Sequence, residues 1–365
     1  MSRKEKKEQT KAKKKGGRKA LIIVLVIVIL IAGGVMAVKY LKDNNIIANS
    51  NDDNTTNDIV VTVPKINIFN GDSRPIAVAF ENSTKNDWPQ PGLENAYLVY
   101  ELPVEGGMTK LLALYKGVNV DKLGYIRSAR PCFIDYALEN DAVLVHYGHS
   151  DQTVTDEASL KMDYIDGIIL SGSDKTFWTV SGYTTGNAKR MVASTSSIEA
   201  KMKAMNIRAT STDTGLGYIA GDYDLEDVLD SAGNITNTAN SVSVKFSTAH
   251  SVSFTYDAGT KLYARFQRGA PHVTTNNVQL TTKNIIVQFV QTSLLSGPLG
   301  HVQVNTVGTG TGYFITNGKS EAITWSKDSR SDKTKYIDKD GNEIKFNDGV
   351  TYIEICPTSG NVTIE

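Results

Sequence analysis

The sequence has 365 residues, and its 39 Lys and Arg residues equal its 39 Asp and Glu residues. The charges are unevenly distributed, because residues 1–19 carry ten basic and two acidic side chains and leave 29 basic and 37 acidic residues after them. With 40% hydrophobic residues, the composition excludes a largely disordered chain. Two cysteines, Cys132 and Cys356, exclude a disulfide-dense scaffold and a CxxC motif, and the sequence leaves open whether they pair.

Residues 20–38 form an uncharged apolar run that predicts a transmembrane helix, because about 1.5 Å per residue over this run spans roughly 28 Å of bilayer. The basic segment 1–19 precedes the run, so the positive-inside rule predicts a cytoplasmic N-terminus and an extracytoplasmic C-terminal part. We expect this segment to contact anionic lipid rather than nucleic acid. The alternative is a cleaved signal peptide with a site at 35–37, although the run exceeds a usual signal h-region. No cysteine lies near its end, which excludes a lipoprotein anchor.

Residues 39–64 are rich in Asn and Asp and predict a disordered extracytoplasmic tether. The folded body then begins at residue 65 and is longer than one typical domain. We therefore predict two subdomains, 65–230 and 241–365, and an α+β fold overall.

The first subdomain is predicted to be α/β with a three-layer-like arrangement, because short apolar runs alternate with amphipathic segments. Pro131 suits the first turn of a helix, and the stretch Ser196 to Glu199 has the pattern of a capping box. The predicted strands are 76–80, 96–100, 111–115, 142–146 and 168–170, and the predicted helices begin at Pro131, near Glu157 and at Ser196.

The second subdomain is predicted to be antiparallel and rich in β-strands, since most of its apolar residues alternate with period two. Asp340 and Gly341 separate two short strands and predict a hairpin turn. The predicted strands are 242–246, 252–256, 262–266, 284–290, 313–315, 322–325, 336–337, 344–346 and 352–355.

Two arginines before the first helix are candidate ligand-binding residues. Arg127 and Arg130 precede Pro131, where the free N–H groups of a helix entry favour an anion and guanidinium groups would bind it in a forked geometry. The alternative is that the two arginines form structural ion pairs with Glu101 and Glu105.

His146 ends a predicted buried strand, and polar residues at the carboxyl ends of strands commonly line a site in α/β folds. It is a weak candidate for acid–base catalysis together with Glu105. His149 follows at a spacing that makes a metal pair conceivable, but no third ligand is fixed by the sequence, so we predict no metal. Trp325, Lys327 and Arg330 follow a predicted strand and could stack on a sugar or bind an anion.

Several short motifs follow one another along the chain, at 104–110, 112–115, 124–130, 145–148, 312–319, 323–327 and 338–341. Their order resembles the YerB-like family, a domain of unknown function in bacterial cell-envelope proteins. The resemblance covers roughly residues 74–357 and implies an exported bacterial protein with two subdomains and no settled activity. Many family members are lipoproteins.

These features favour a single-pass membrane protein whose extracytoplasmic part binds an envelope component, either an anionic cell-wall polymer or a partner protein. One alternative is an enzyme that acts on cell-wall glycan or a phosphodiester, and another is a structural scaffold of the envelope. We predict no cofactor. Convergence of the candidate residues in one place would favour a ligand site or an enzyme, and dispersal would favour the scaffold.

Overall fold

A computed structural model describes residues 66–365, apart from 70, 212, 214 and 296–299. The predicted basic tail 1–19, transmembrane helix 20–38 and tether 39–64, together with residue 65, lie outside this part of the chain. None of the helices found within the described part has both the length and the apolar character needed to cross a bilayer.

The described residues form three α-helices, several short 3-10 helices and 21 β-strands. The α-helices are α1 (Pro131–Leu138), α2 (Asp151–Ser159) and α3 (Thr195–Ala204). The strands are β1 (Ile76–Glu81), β2 (Leu98–Pro103), β3 (Thr109–Tyr115), β4 (Leu123–Gly124), β5 (Val143–His146), β6 (Tyr164–Asp166), β7 (Phe177–Tyr183), β8 (Lys189–Ala193), β9 (Ser241–Lys245), β10 (Ser251–Asp257), β11 (Leu262–Gln267), β12 (Ala270–Pro271), β13 (Thr281–Thr282), β14 (Asn284–Val290), β15 (Thr292–Leu294), β16 (Val302–Val304), β17 (Gly308–Thr316), β18 (Lys319–Lys327), β19 (Lys335–Ile337), β20 (Thr351–Pro357) and β21 (Asn361–Ile364).

A ten-stranded mixed sheet organises the fold, in the order β19-β18-β17-β14-β20-β2-β3-β1-β5-β6. The pairs β1–β5, β5–β6, β2–β20 and β14–β20 are parallel, and the other pairs are antiparallel. The strands of the two predicted subdomains form two adjacent blocks of this one sheet, which meet where β2 pairs with β20 and brings Glu101 opposite Glu354. The fold is therefore α+β, while the division into subdomains 65–230 and 241–365 stays a prediction.

Both faces of the large sheet are buried, which explains its near-continuous apolar strands. Along β1, Ala77 and Ala79 belong to the core on one face, whereas Val78 and Phe80 belong to the core on the other. Helix α1 packs on the first face through residues such as Phe133. Helix α3 and a smaller sheet pack on the second face.

The smaller sheet has the strand order β12-β11-β10-β9-β21, with β13 paired to β11. Its strands show the alternation predicted from the sequence: Val242 and Val244 of β9 are buried against the large sheet, and Ser243 between them is exposed. Two further small sheets are formed by β4-β8-β7 and by β15-β16.

Two predictions about strands are wrong: one strand of the first half, and the wholly antiparallel arrangement of the second half. The strand predicted at 168–170 is wrong, because Asp166 accepts hydrogen bonds from the backbone N–H groups of Ile168 and Ile169 and closes a turn. Both isoleucine side chains are more than half exposed there. The second half is not wholly antiparallel, because β14 and β20 run parallel. In addition, residues 344–346, which were predicted as a strand, do not form one.

Two helix starts also differ from the prediction, because serine caps lie earlier in the chain. Ser150 accepts a hydrogen bond from the backbone of Thr153, so α2 begins before the predicted position near Glu157. Ser194 and Ser197 cap each other reciprocally, so the capping box of α3 lies two residues before the predicted one.

Candidate functional site

Three parallel strands end side by side in polar residues. β1 ends in Glu81, β5 in His146 and β6 in Asp166, and the three strands are adjacent in the large sheet. The carboxyl edge of parallel strands is where open α/β sheets commonly bind ligands. The loop that contains Arg127 crosses this edge, because the backbone N–H of Arg127 donates to Ala79 at 2.9 Å.

This loop packs closely on the segment that follows β5. The N–H of Tyr147 donates to the carbonyl of Arg127 at 3.2 Å, and the N–H of Ala129 donates to the carbonyl of Gly148 at 3.0 Å. Gly148 has a φ of +92°, and a Cβ at this position would lie 2.9 Å from the hydroxyl of Ser128. Glycine is therefore required here by backbone conformation and by space.

Glu81 is the centre of a charged group that we call the carboxyl-edge cluster, which consists of Glu81, Lys110, Arg127, Glu105 and Arg130. Lys110 on β3 contacts the Glu81 carboxylate at 2.6 Å, and the Nε of Arg127 lies 3.7 Å from the same carboxylate. Burial opposes ionisation of Glu81, but Lys110 and Arg127 outweigh it and lower the pKa of this carboxyl. Glu81 is therefore the shared counter-ion of two cations.

Arg130 and Glu105 form the second ion pair of the cluster. The guanidinium of Arg130 donates to both carboxylate oxygens of Glu105, and its side chain is 10% exposed. Burial raises the pKa of Glu105, and the hydrogen bond from Arg130 overcomes this effect and lowers it. Because Arg130 is also the N-cap residue of α1, its ion pair with Glu105 holds the N-terminus of that helix in place. The structural ion-pair alternative therefore holds for Arg130 and Glu105.

Arg127 is the least compensated member of the carboxyl-edge cluster. Its side chain is 23% exposed, and within the described residues no hydrogen-bond acceptor contacts its guanidinium. The pairing of Arg127 with Glu101 that the sequence allowed is wrong, since Arg127 faces Glu81 instead. Three cations share two carboxylates, so the cluster has one excess positive charge. Such an arrangement can bind one anionic oxygen-bearing group at the sheet edge.

Comparisons with known proteins agree with the fold and the motifs. Family models described as "Protein of unknown function (DUF3048)" match residues 64–208 with the N-terminal domain and 242–353 with the C-terminal domain. The putative lipoprotein YerB of Bacillus subtilis (strain 168) is 35% identical over 107 residues, which cover 29% of this chain and 31% of that protein. The chain belongs to the YerB-like family.

A solved structure supports the same fold. The crystal structure of the YerB protein from Bacillus subtilis superimposes with a TM-score of 0.69 and covers 80% of this chain and 94% of that chain. The sequence identity over this superposition is 22%, so the likeness concerns the fold. The resemblance found in the sequence motifs is thereby confirmed for this YerB-like chain, and it brings no activity with it.

His146 lies next to the cluster but is completely buried. Its Nδ1 donates to the carbonyl of Gly148 at 2.8 Å, and its Nε2 lies 3.0 Å from a carboxylate oxygen of Glu157. His149 contacts a different carboxylate, that of Asp166. Among the described residues, no group of three His, Cys, Asp or Glu side chains has an arrangement that could hold a metal. The geometry gives His146 the environment of a structural histidine.

Arg330 lies at the other side of the α1 entry. It contacts Asp135 of α1 at 2.6 Å and Asp156 of α2 at 2.9 Å, and it donates to the carbonyl of Pro131 at 3.2 Å. Its side chain is 31% exposed. With two carboxylates for one guanidinium, Arg330 has no excess positive charge to offer to an anion.

Trp325 and Lys327 are buried in the core. The indole of Trp325 donates to the carbonyl of Phe289 at 2.9 Å, and only 3% of the residue is exposed. The ammonium of Lys327 contacts Glu139 at 2.7 Å, and 1% of the residue is exposed. Their strand β18 has β17 and β19 on its two sides, so the predicted loop is part of a strand and gives neither residue a surface for stacking on a sugar.

Sequence reasoning missed Glu81 and Lys110, although the rule that selected His146 applies equally to Glu81 at the end of β1. It also missed a buried polar network between the two sheets. This network forms between residues far apart in the sequence, and no local spacing indicates it. Its members include Asn82, Gln90, Glu101, Thr109, His250, Arg265, Gln267, His272 and Glu354.

Proposed function

We propose that this protein is a single-pass membrane-anchored protein of the bacterial envelope whose extracytoplasmic body binds an anionic envelope polymer through the carboxyl-edge cluster. The anchor and the orientation come from the sequence of residues 1–38, and they fit a relative that is named a putative lipoprotein. The cluster has an excess positive charge, which suits an anionic polymer with repeating phosphate groups. The oxygen atoms of such groups would accept hydrogen bonds from a guanidinium.

The proposal rests on the incomplete charge compensation of Arg127. Glu81 is the one carboxylate among the described residues that forms an ion pair with Arg127, and it already contacts Lys110 at 2.6 Å, while the Arg127 side chain remains 23% exposed. An anion that approached Arg127 would neutralise the excess charge of the cluster without breaking the pair between Arg130 and Glu105. The other predicted ligand residues have structural partners, so the binding surface is local and does not extend to Trp325 or Lys327.

The body as a whole carries an excess of acidic residues, which repels polyanions at long range. Binding therefore depends on a local contact, and we expect it to be modest and sensitive to salt. A single charge-assisted hydrogen bond contributes about 1.5–3 kcal/mol, which corresponds to roughly ten- to a hundredfold in affinity.

The test measures binding of poly(glycerol phosphate), a chemical equivalent of an anionic wall polymer, to the full chain in lipid nanodiscs. Arg127→Gln should weaken binding by about tenfold or more. Arg208→Gln is the matched control, because Arg208 is exposed and pairs with Asp141, outside the cluster. Equal affinities of wild type and Arg127→Gln would refute the site, and absence of binding in all three proteins would favour the scaffold alternative.

A further inference from the structure

A second candidate site lies at the opposite end of β1, away from the carboxyl-edge cluster. A cavity of about 600 Å³ lies where β1 begins and β3 ends, and α3 forms one of its sides. Ile76 at the start of β1 lines the cavity, whereas Glu81 at the end of the same strand belongs to the cluster. At 3.3 Å per residue the two positions are about 16 Å apart along the strand. The cavity is therefore independent of the proposed function.

Most of the cavity wall is apolar. Ile76, Tyr115 and Met202 are each at most 5% exposed and lie in the core between the sheet and α3. Val118 and Ile207 add partly buried apolar surface to the same wall. The volume lies within the range of about 300–1,000 Å³ that is usual for sites of small organic ligands. An apolar molecule, or the apolar part of a larger one, would be favoured here by burial.

One lysine that lines the cavity has no counter-ion among the described residues. Lys116 follows β3 and is only 4% exposed, and among the described residues its side chain makes no hydrogen bond or ion pair. Lysine residues with so little exposed surface are normally paired, whereas the ammonium of Lys116 has only the cavity beside it. Lys116 is therefore the polar group in this cavity that a ligand would have to satisfy.

The other charged residues of the lining are balanced. Arg74 contacts the carboxylates of Asp163 and Asp141. Glu199 and Lys203 are exposed, are four residues apart on α3 and have opposite signs, so they compensate each other at the rim. One positive charge, that of Lys116, therefore remains in the cavity, and a ligand with one negative charge would neutralise it.

We infer that this cavity binds a small amphipathic carboxylate, with its carboxylate on Lys116 and its apolar body against Ile76, Tyr115 and Met202. A carboxylate carries the single negative charge that matches one ammonium group. A phosphate monoester carries a charge of about −1.5 to −2 at pH 7 and would leave part of that charge buried without a partner. Carboxylate chemistry therefore fits the cavity better than phosphate chemistry does.

The experiment uses the full chain in lipid nanodiscs, with empty nanodiscs as reference, and measures ligand binding by isothermal titration calorimetry. The probes are 4-phenylbutyrate, its neutral analogue 4-phenylbutyramide, and phenyl phosphate. The wild type should bind the carboxylate about tenfold or more tightly than the amide, because only the carboxylate forms a charge-assisted hydrogen bond. Phenyl phosphate should bind more weakly than the carboxylate.

Lys116→Met keeps the length of the side chain and removes its charge, so it should reduce carboxylate binding to the level of the amide and leave amide binding unchanged. Lys122→Met is the matched control, since Lys122 is exposed and does not line the cavity. If Lys116→Met fails to fold by circular dichroism, Ile207→Trp replaces it. This variant adds bulk at the partly exposed wall and should weaken both probes.

Four results would overturn the inference. The wild type could bind acid and amide equally, it could bind neither at millimolar concentration, or its preference for the acid could survive Lys116→Met. Tighter binding of phenyl phosphate than of the carboxylate would assign the cavity to a different ligand and would equally reject the proposal. The poly(glycerol phosphate) result for Arg127 does not affect these outcomes, because the two sites share no residue.

Discussion

A buried ion pair joins the two sheets, and its loss should destabilise the protein strongly. Arg265 on β11 and Glu101 on β2 are both 0% exposed, and the guanidinium contacts the carboxylate directly. Arg265→Met removes the cation and leaves Glu101 buried without its counter-charge. Truncating one partner of such a pair costs about 3–5 kcal/mol, a large share of the 5–15 kcal/mol that stabilises a typical domain.

The assay is urea unfolding of residues 65–365, which should show a lower midpoint for Arg265→Met at an unchanged m-value. The double variant Glu101→Gln with Arg265→Met should lose less stability than the two single variants together, because no uncompensated charge remains buried. The reasoning is refuted if Arg265→Met unfolds at the wild-type urea concentration, or if the losses of the two single variants simply add.

The same network predicts how stability depends on pH. Burial, followed by repulsion from Glu101, raises the pKa of Glu354 well above its ordinary value. The stability that neutral Glu354 contributes is complete below its unfolded pKa of about 4.3 and is lost as the pH rises through the folded pKa. Glu354→Gln remains neutral and should lose less stability toward alkaline pH than the wild type does. Glu343→Gln, at an exposed glutamate, is the control and should follow the wild type.

Two further predictions concern the cysteines and the membrane topology. Cys132 and Cys356 are free and buried. Burial raises the pKa of the Cys356 thiol to about 12 and raises that of the Cys132 thiol well above its ordinary value. A thiol reagent should therefore modify neither residue in the folded protein and both residues after unfolding. Modification in the folded protein would contradict this. A reporter that is active only in the cytoplasm should be silent when fused after Glu365, and a strong signal there would reverse the predicted orientation.

The strands of the large sheet were largely predictable because most of them are buried on both faces. A strand such as β5 needs apolar residues at nearly every position, and this pattern is visible without knowledge of its neighbours. The pairing of β2 with β20 was not predictable in this way. It depends on contacts between residues far apart in the chain, such as Glu101 and Glu354, and no local pattern encodes them.

The candidate site was predictable only in part, for a related reason. Arg127, Arg130 and Glu105 converge because all three lie near the carboxyl edge of the sheet, and the rule that polar residues gather there is local. Trp325 and Lys327 were expected in a loop, but β17 pairs with β18 through both residues, and β19 pairs with it as far as Ser326. Residue type suggested an anion site at both places, and only the tertiary structure separates an exposed cation from a buried one.

Arg127 and Arg265 both lie beside a glutamate, but one is available to a ligand and the other stabilises the fold. Arg265 is 0% exposed and contacts the Glu101 carboxylate directly, and its guanidinium also donates to Gln267 at 2.8 Å, so its charge is compensated within the protein. Arg127 is 23% exposed and competes with Lys110 for one carboxylate. The number of carboxylates available to each cation, rather than the presence of an ion pair, therefore separates a residue that can bind a ligand from one that stabilises the fold. Among the cations that line the two proposed sites, functional tests should therefore concentrate on Arg127 and Lys116.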